Sequence, residues 1–164
     1  MVRSNAPHTD DAADREVEVH RTFDASTETL WDAWTNPARI VLWWGPRGFT
    51  TTIDEMDVRP GGVWTHTMHG PDGTDYPSRA VFREVIPRER ISYMLTGGSE
   101  NERVECEVTW TFVPEGRATR LTMRMRFPSV EARDRAIETL GVRDAGVETL
   151  NRLAELVGTD MEAS

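Results

Sequence analysis

The sequence predicts an α+β domain: a curved antiparallel sheet of about six or seven strands around a long C-terminal helix, with two short helices after the first strand. Three observations predict it. Apolar and polar residues alternate strictly in several stretches between residues 16 and 127, as they do in strands with one buried face. Glycine- and proline-rich turns separate those stretches, which suits hairpins rather than long crossovers. Helical periodicity is confined to a short region near residues 26–42 and to the part beyond Pro128. A one-faced antiparallel sheet must be covered, and only those helices can cover it.

The elements follow in order. Residues 1–14 are polar and acidic, without periodicity, and are expected to form a disordered tail; the domain is expected over 15–158, with a short tail at 159–164. Val17, Val19 and Phe23 alternate with Glu16, Glu18, His20 and Thr22, giving a first strand with a surface histidine. Asp24 or Ser26 caps a helix carrying Leu30, Trp31, Ala33 and Trp34, and Asn36-Pro37 stops it because proline pushes its predecessor out of the α region. A second helical turn, 38–42, delivers Trp43-Trp44 into the turn Gly45-Pro46. Four of the six tryptophans thus crowd one elbow. Such rings usually pack a core, so Trp31, Trp34, Trp43 and Trp44 are candidates both for packing and for lining a ligand site.

Phe49 to Ile53 reads as a second strand, followed by the turn Asp57-Val-Arg-Pro-Gly-Gly62. Trp64, His66 and Met68 then share one face of a third, with Val63, Thr65, Thr67 and His69 on the other. After Pro71-Asp72-Gly73 a long strand runs to Ile86, with Ala80, Phe82, Glu84 and Ile86 in one register; Ile91, Tyr93 and Leu95 follow. The last two strands are the clearest: Val104, Cys106, Val108, Trp110 and Phe112 inward, then Leu121, Met123, Met125 and Phe127. Their outward rows are glutamate and threonine on one, arginine and threonine on the other, so ion pairs between these two strands are expected. Val130 to Leu140 reads as a helix ended by Gly141, and Asp144 to Val157 as another, closed by Gly158; Gly146 implies close approach to another backbone.

Composition removes several functions. A net charge of −9 and a pI near 4.9 exclude a nucleic-acid footprint and disfavour an anionic membrane surface. All 19 basic residues are arginine, so Schiff-base and phosphate-loop lysine chemistry is ruled out. Cys106 is the sole cysteine, which excludes an intrachain disulfide and suits a reducing compartment. The N-terminus has no apolar signal core and no run reaches membrane-spanning length, so a cytoplasmic location is expected. No zinc spacing, nucleophile elbow or nucleotide fingerprint is present; no metal and no cofactor are expected. His66 and His69 have a metal-like spacing but point to opposite faces of a strand.

The chain resembles the bacterial proteins related to the C-terminal domain of the activator of Hsp90 ATPase, within the START/Bet v 1-like helix-grip superfamily. The resemblance is carried by Arg21-Thr-Phe-Asp-Ala25, Trp31-Asp-Ala-Trp-Thr-Asn-Pro37, Trp43-Trp-Gly-Pro46, Asp57-Val-Arg-Pro-Gly-Gly62 with Trp64, Phe82-Arg-Glu-Val-Ile-Pro87, Thr119-Arg-Leu-Thr122 and Leu150-Asn-Arg-Leu-Ala-Glu-Leu156. It spans about residues 16–157. It implies a helix-grip fold with an internal pocket, and no single activity. Two departures stand out: Ala80 replaces a common glycine, narrowing the pocket, and Val147 replaces a common tryptophan, removing a lining ring.

With such a pocket, alternation assigns its lining to Trp64, His66, Met68, Phe82, Tyr93, Cys106, Trp110, Met123 and Met125, beside the four elbow tryptophans. The first functional reading is a binding module for an apolar or lipid-like small molecule, without catalysis. The second is a cyclase- or hydratase-like lyase in which His66 and Glu84 are the catalytic acid–base candidates, although pairing of Glu84 with an arginine, or a place at a strand end in water, ranks above catalysis. The third is an Hsp90 activator-like co-chaperone or stress-response partner, as the family implies. A monomer or homodimer is expected. Arg47 and Arg59 could greet an anionic group at the pocket mouth, although acidic neighbours offer them ordinary surface ion pairs.

Overall fold

A computed structural model describes residues 14–98 and 103–163. The element order is β1 (Glu16–Phe23), α1 (Thr27–Thr35), α2 (Pro37–Ile40), β2 (Thr50–Met56), β3 (Val63–His69), β4 (Asp75–Ile86), β5 (Arg90–Gly98), β6 (Arg103–Glu115), β7 (Ala118–Arg126), α3 (Val130–Leu140) and α4 (Val142–Ala163). Seven antiparallel strands form one sheet in the order β1-β7-β6-β5-β4-β3-β2. The chain therefore runs as successive hairpins from β2 to β7, and β1 closes onto β7. The α+β class and the seven-strand sheet covered by C-terminal helices agree with the expectation.

Local chemistry sets the helix ends. Ser26 Oγ accepts the Thr29 N–H at 3.1 Å, and Asn36 Oδ1 accepts the Ala38 N–H at 3.0 Å with Pro37 opening α2. Ser129 caps α3 at Ala132, and Gly141 ends it in the left-handed region at φ 60°. α4 begins at once, at Val142, and continues through Gly158 to Ala163 instead of closing at that glycine. Glycine ends a helix only when it adopts a left-handed cap, and Gly158 does not. The N-terminal tail expected over 1–14 lies, apart from Asp14, outside the described residues.

Alternation sorts the sheet faces as expected: Val17, Val19, Phe23, Cys106, Val108, Trp110, Phe112 and Leu121 are all buried beneath the helices. The outer ion pairs differ from the expectation. β7 lies between β1 and β6, and its arginines turn to β1: Arg126 reaches Glu16 at 3.0 Å and Arg124 reaches Glu18 at 3.2 Å. Glu107 of β6 pairs instead with Arg83 at 3.6 Å. The alternation fixed which face these charges occupy, but the choice between two flanking strands is tertiary. Each such exposed pair contributes roughly 0.2–1 kcal/mol.

Two register shifts bend the sheet, between Ile53 and Glu55 against β3 and between Phe82 and Glu84 against β5. The core centres on Trp34, which meets Trp44, Trp64, Phe82, Tyr93 and Trp110 at ring-centroid distances of 5.4–6.2 Å, mostly edge to face. Trp43 is tied to the same block by its indole N–H, which donates to Ala33 O at 2.9 Å.

Candidate functional site

A cavity of about 270 Å³ lies between the concave face of the sheet and the start of α4. Its floor is built from alternate residues of β3 to β7, and its roof from Val142, Ala145, Gly146 and Thr149. The end of α3 and the Trp44-Gly45-Pro46 turn form its sides. Two glycines make room. A Cβ on Gly97 would stand 2.7 Å from Ser78 Oγ, and one on Gly146 would stand 3.1 Å from Val19 Cγ2 and 3.2 Å from Met123 Cε. The close approach expected at Gly146 is therefore to side chains of β1 and β7. No Asp, Glu, Lys or Arg lines the cavity among the described residues.

The Trp44-Gly45-Pro46 turn is held by a residue that sequence reasoning passed over. Arg152 of α4 donates through Nη1 to the carbonyls of Trp44, Gly45, Pro46 and Phe49 at 3.0–3.3 Å, and through Nη2 to Leu42 O at 3.2 Å. Two Nη1 hydrogens shared among four carbonyls act as a fixed cation inside a ring of dipoles. Burial and the neighbouring Arg47 lower the Arg152 pKa, while Glu155 opposes them. Arg47 is itself engaged, with its guanidinium on Glu155 and its backbone N–H on Glu148 Oε1 at 3.1 Å. Arg59 pairs with Asp57 at 2.7 Å. Neither arginine lines the cavity.

His66 is buried in the cavity wall, with Trp64 stacked on it at 4.1 Å and the Trp44 indole N–H donating to its Nε2 at 3.2 Å. Accepting at Nε2 places the neutral ring's proton on Nδ1, which has no partner among the described residues. Burial lowers the His66 pKa to about 4, so the ring is neutral at pH 7. Tyr93, also in the wall, accepts the Trp110 indole N–H at 3.1 Å, and burial pushes its phenol pKa up.

Seven of the anticipated residues meet around this space: Trp44, His66, Met68, Tyr93, Trp110, Met123 and Met125. Six do not line it. Trp34, Trp43, Trp64 and Phe82 are consumed in ring-on-ring packing, and Trp31 packs on Phe112 at 5.3 Å. Cys106 is buried with its thiol pKa pushed up to about 12, which makes it unreactive. Glu84 is the clear correction. The register shift after Phe82 leaves both Arg83 and Glu84 on the outer side, where Glu84 is about half exposed and bonds Arg90 at 3.0 Å. Glu84 thus pairs with an arginine, the reading ranked above catalysis, and the acid–base pair of the lyase reading does not form with His66. The two departures also leave the cavity alone: Ala80 is wholly buried without lining it, and Val147 is 46% exposed on the outer side of α4.

Among the described residues no cluster of His, Cys, Asp and Glu could hold a metal. His69, on the opposite face from His66, bonds Asp75 and Thr52 at 2.8 Å each. No helix of the described residues is long and apolar enough to cross a membrane.

Residues 24–158 match the family described as activator of Hsp90 ATPase homolog 1-like protein. The chain belongs to this family. Solved structures of similar fold agree. A crystal structure of a protein from Mycobacterium smegmatis is 24% identical, with a TM-score of 0.82 over 92% of this chain and 95% of that one. A solution structure from Arthrobacter aurescens is 21% identical, with a TM-score of 0.82 over 91% and 89%. DynU16, a protein in the dynemicin biosynthetic locus, is 22% identical with a TM-score of 0.67; 89% of this chain matches 48% of that one. No curated protein matches the chain. Within the activator-homologue fold, the unforeseen lining residues are of two kinds. Leu95, Val104 and Val108 were legible as inward members of alternating strands. Tyr76 was legible too, in register with Ala80 and Phe82 of the same strand, whereas Phe49 and the α4 roof carry no such signal, because nothing local shows which turn meets the sheet.

Proposed function

We propose that this domain binds one apolar small molecule in the cavity between sheet and α4, without covalent chemistry. The carrying observation is a space of about 270 Å³ lined mainly by aromatic, aliphatic and methionine side chains, with the hydroxyls of Ser78, Thr139 and Thr149 and no charged group among the described residues. Ligand pockets commonly measure about 300–1,000 Å³, so the occupant is a compact molecule rather than a two-chain lipid. Met68, Met123 and Met125 supply adaptable walls.

The lining also argues against proton-transfer catalysis. A general base needs a poised acceptor, and the one imidazole in the wall among the described residues already accepts from Trp44 and stays unprotonated to about pH 4. Thermal melts of the purified protein against a panel of compact apolar compounds test the reading. A ligand of the native state raises the midpoint in proportion to the logarithm of its concentration. A panel that produces no shift rejects it.

A further inference from the structure

The hydrogen-bonding inventory of the cavity leans to donors: the hydroxyls of Ser78 and Thr139 in its wall can donate as well as accept, while two further groups have only a proton left to offer. His66 presents an Nδ1–H with no acceptor among the described residues, because Trp44 has taken Nε2. Tyr93 accepts from Trp110, and its own hydroxyl proton meets no acceptor among them either. Both side chains line the cavity and are 2% exposed. The buried indole N–H groups of Trp34 and Trp64 also lack partners, but those rings do not line the space. An unsatisfied buried donor is costly, so two of them in one wall favour whatever brings lone pairs.

We infer that the cavity selects a neutral apolar molecule bearing a carbonyl-type oxygen, such as an aryl ketone, lactone or quinone, which accepts hydrogen bonds from His66 and Tyr93. The inference rests on the cavity-binding reading and adds the class of ligand. A carbonyl oxygen offers two lone pairs and brings no donor of its own, which matches a wall with spare donors. A hydrocarbon leaves both donors unmet. A carboxylate would bury a charge where no cation lines the space, and His66 does not gain a proton near neutral pH to meet it. Thr149 adds nothing to the donor side, since its hydroxyl already donates to Ala145 O at 2.7 Å.

Three probes of one shape separate these cases: methyl naphthyl ketone, isopropylnaphthalene and naphthoate. Calorimetric titration of the full chain near neutral pH is expected to show the ketone binding about tenfold or more tighter than the hydrocarbon, which is about 1.4 kcal/mol. Naphthoate is expected to bind weakest. His66→Phe and Tyr93→Phe are each expected to shrink the ratio of ketone to hydrocarbon affinity. The wild-type protein gives a second readout that does not depend on either variant folding: the ketone moves the ring N–H resonance of His66 downfield, and the hydrocarbon leaves it in place. Equal affinity for ketone and hydrocarbon overturns the ligand class while sparing the cavity reading. Tightest binding of naphthoate overturns the requirement for neutrality, and failure of all three probes to bind overturns both proposals.

Discussion

Lowering the pH below neutrality should destabilise the protein through His66. The ring is buried against Trp64 and Trp44, and burial alone brings its pKa from about 6.5 to about 4. Between those values the unfolded chain binds a proton that the folded chain refuses. Stability therefore holds in full above about pH 6.5, falls as the pH drops, and stops falling from this source below about pH 4. At about 1.36 kcal/mol per pH unit, the interval corresponds to roughly 3 kcal/mol, a large share of the roughly 5–15 kcal/mol that keeps a domain folded. Protonation would also set an N–H on Nε2 against the Trp44 donor. The assay is urea unfolding of wild type and His66→Phe at intervals from about pH 7.5 to about pH 4.5. Carboxylates such as Glu155, whose pKa is lowered by Arg47, affect both proteins alike and cancel in the difference. The variant is expected to lose a constant increment of about 1–3 kcal/mol for the stranded Trp44 donor, but to lack the wild-type slope. Parallel curves for the two proteins would refute a neutral, buried His66.

Three further outcomes are expected. Trp34→Ala removes the ring at the centre of the aromatic core and should cost about 3–5 kcal/mol in chemical denaturation. Arg152→Met keeps much of the side-chain length but releases five carbonyls, so it should cost about 2 kcal/mol and speed hydrogen exchange across Leu42 to Phe49. Gly146→Leu drives a branched side chain from the α4 roof toward Met123, so it should abolish ligand-induced thermal shifts, whereas Glu84→Gln, on the outer face, should leave them unchanged.

The sequence was most informative where a two-residue period ran unbroken. In β6 and β7 every inward residue from Cys106 to Phe112 and from Leu121 to Met125 is buried, because the pleat leaves no other choice. It misled in β4, where the same rule applied across the register shift after Phe82 brought Glu84 indoors; one extra residue reverses the face of all that follows. It was silent about Arg152, whose five carbonyl partners lie more than 100 residues away. The elbow tryptophans show the same limit at close range. Their spacing announced a cluster, but only Trp44 reaches the cavity, while Trp34 and Trp43 fill the core behind it.

Periodicity, turns and caps, all local properties of the chain, thus determined the α+β class, the order of the elements and which faces are apolar. The cavity itself was decided by tertiary structure. Its volume is the gap left where a bent sheet meets α4 at Gly146, and such a gap is a difference between distant surfaces that no stretch of sequence contains.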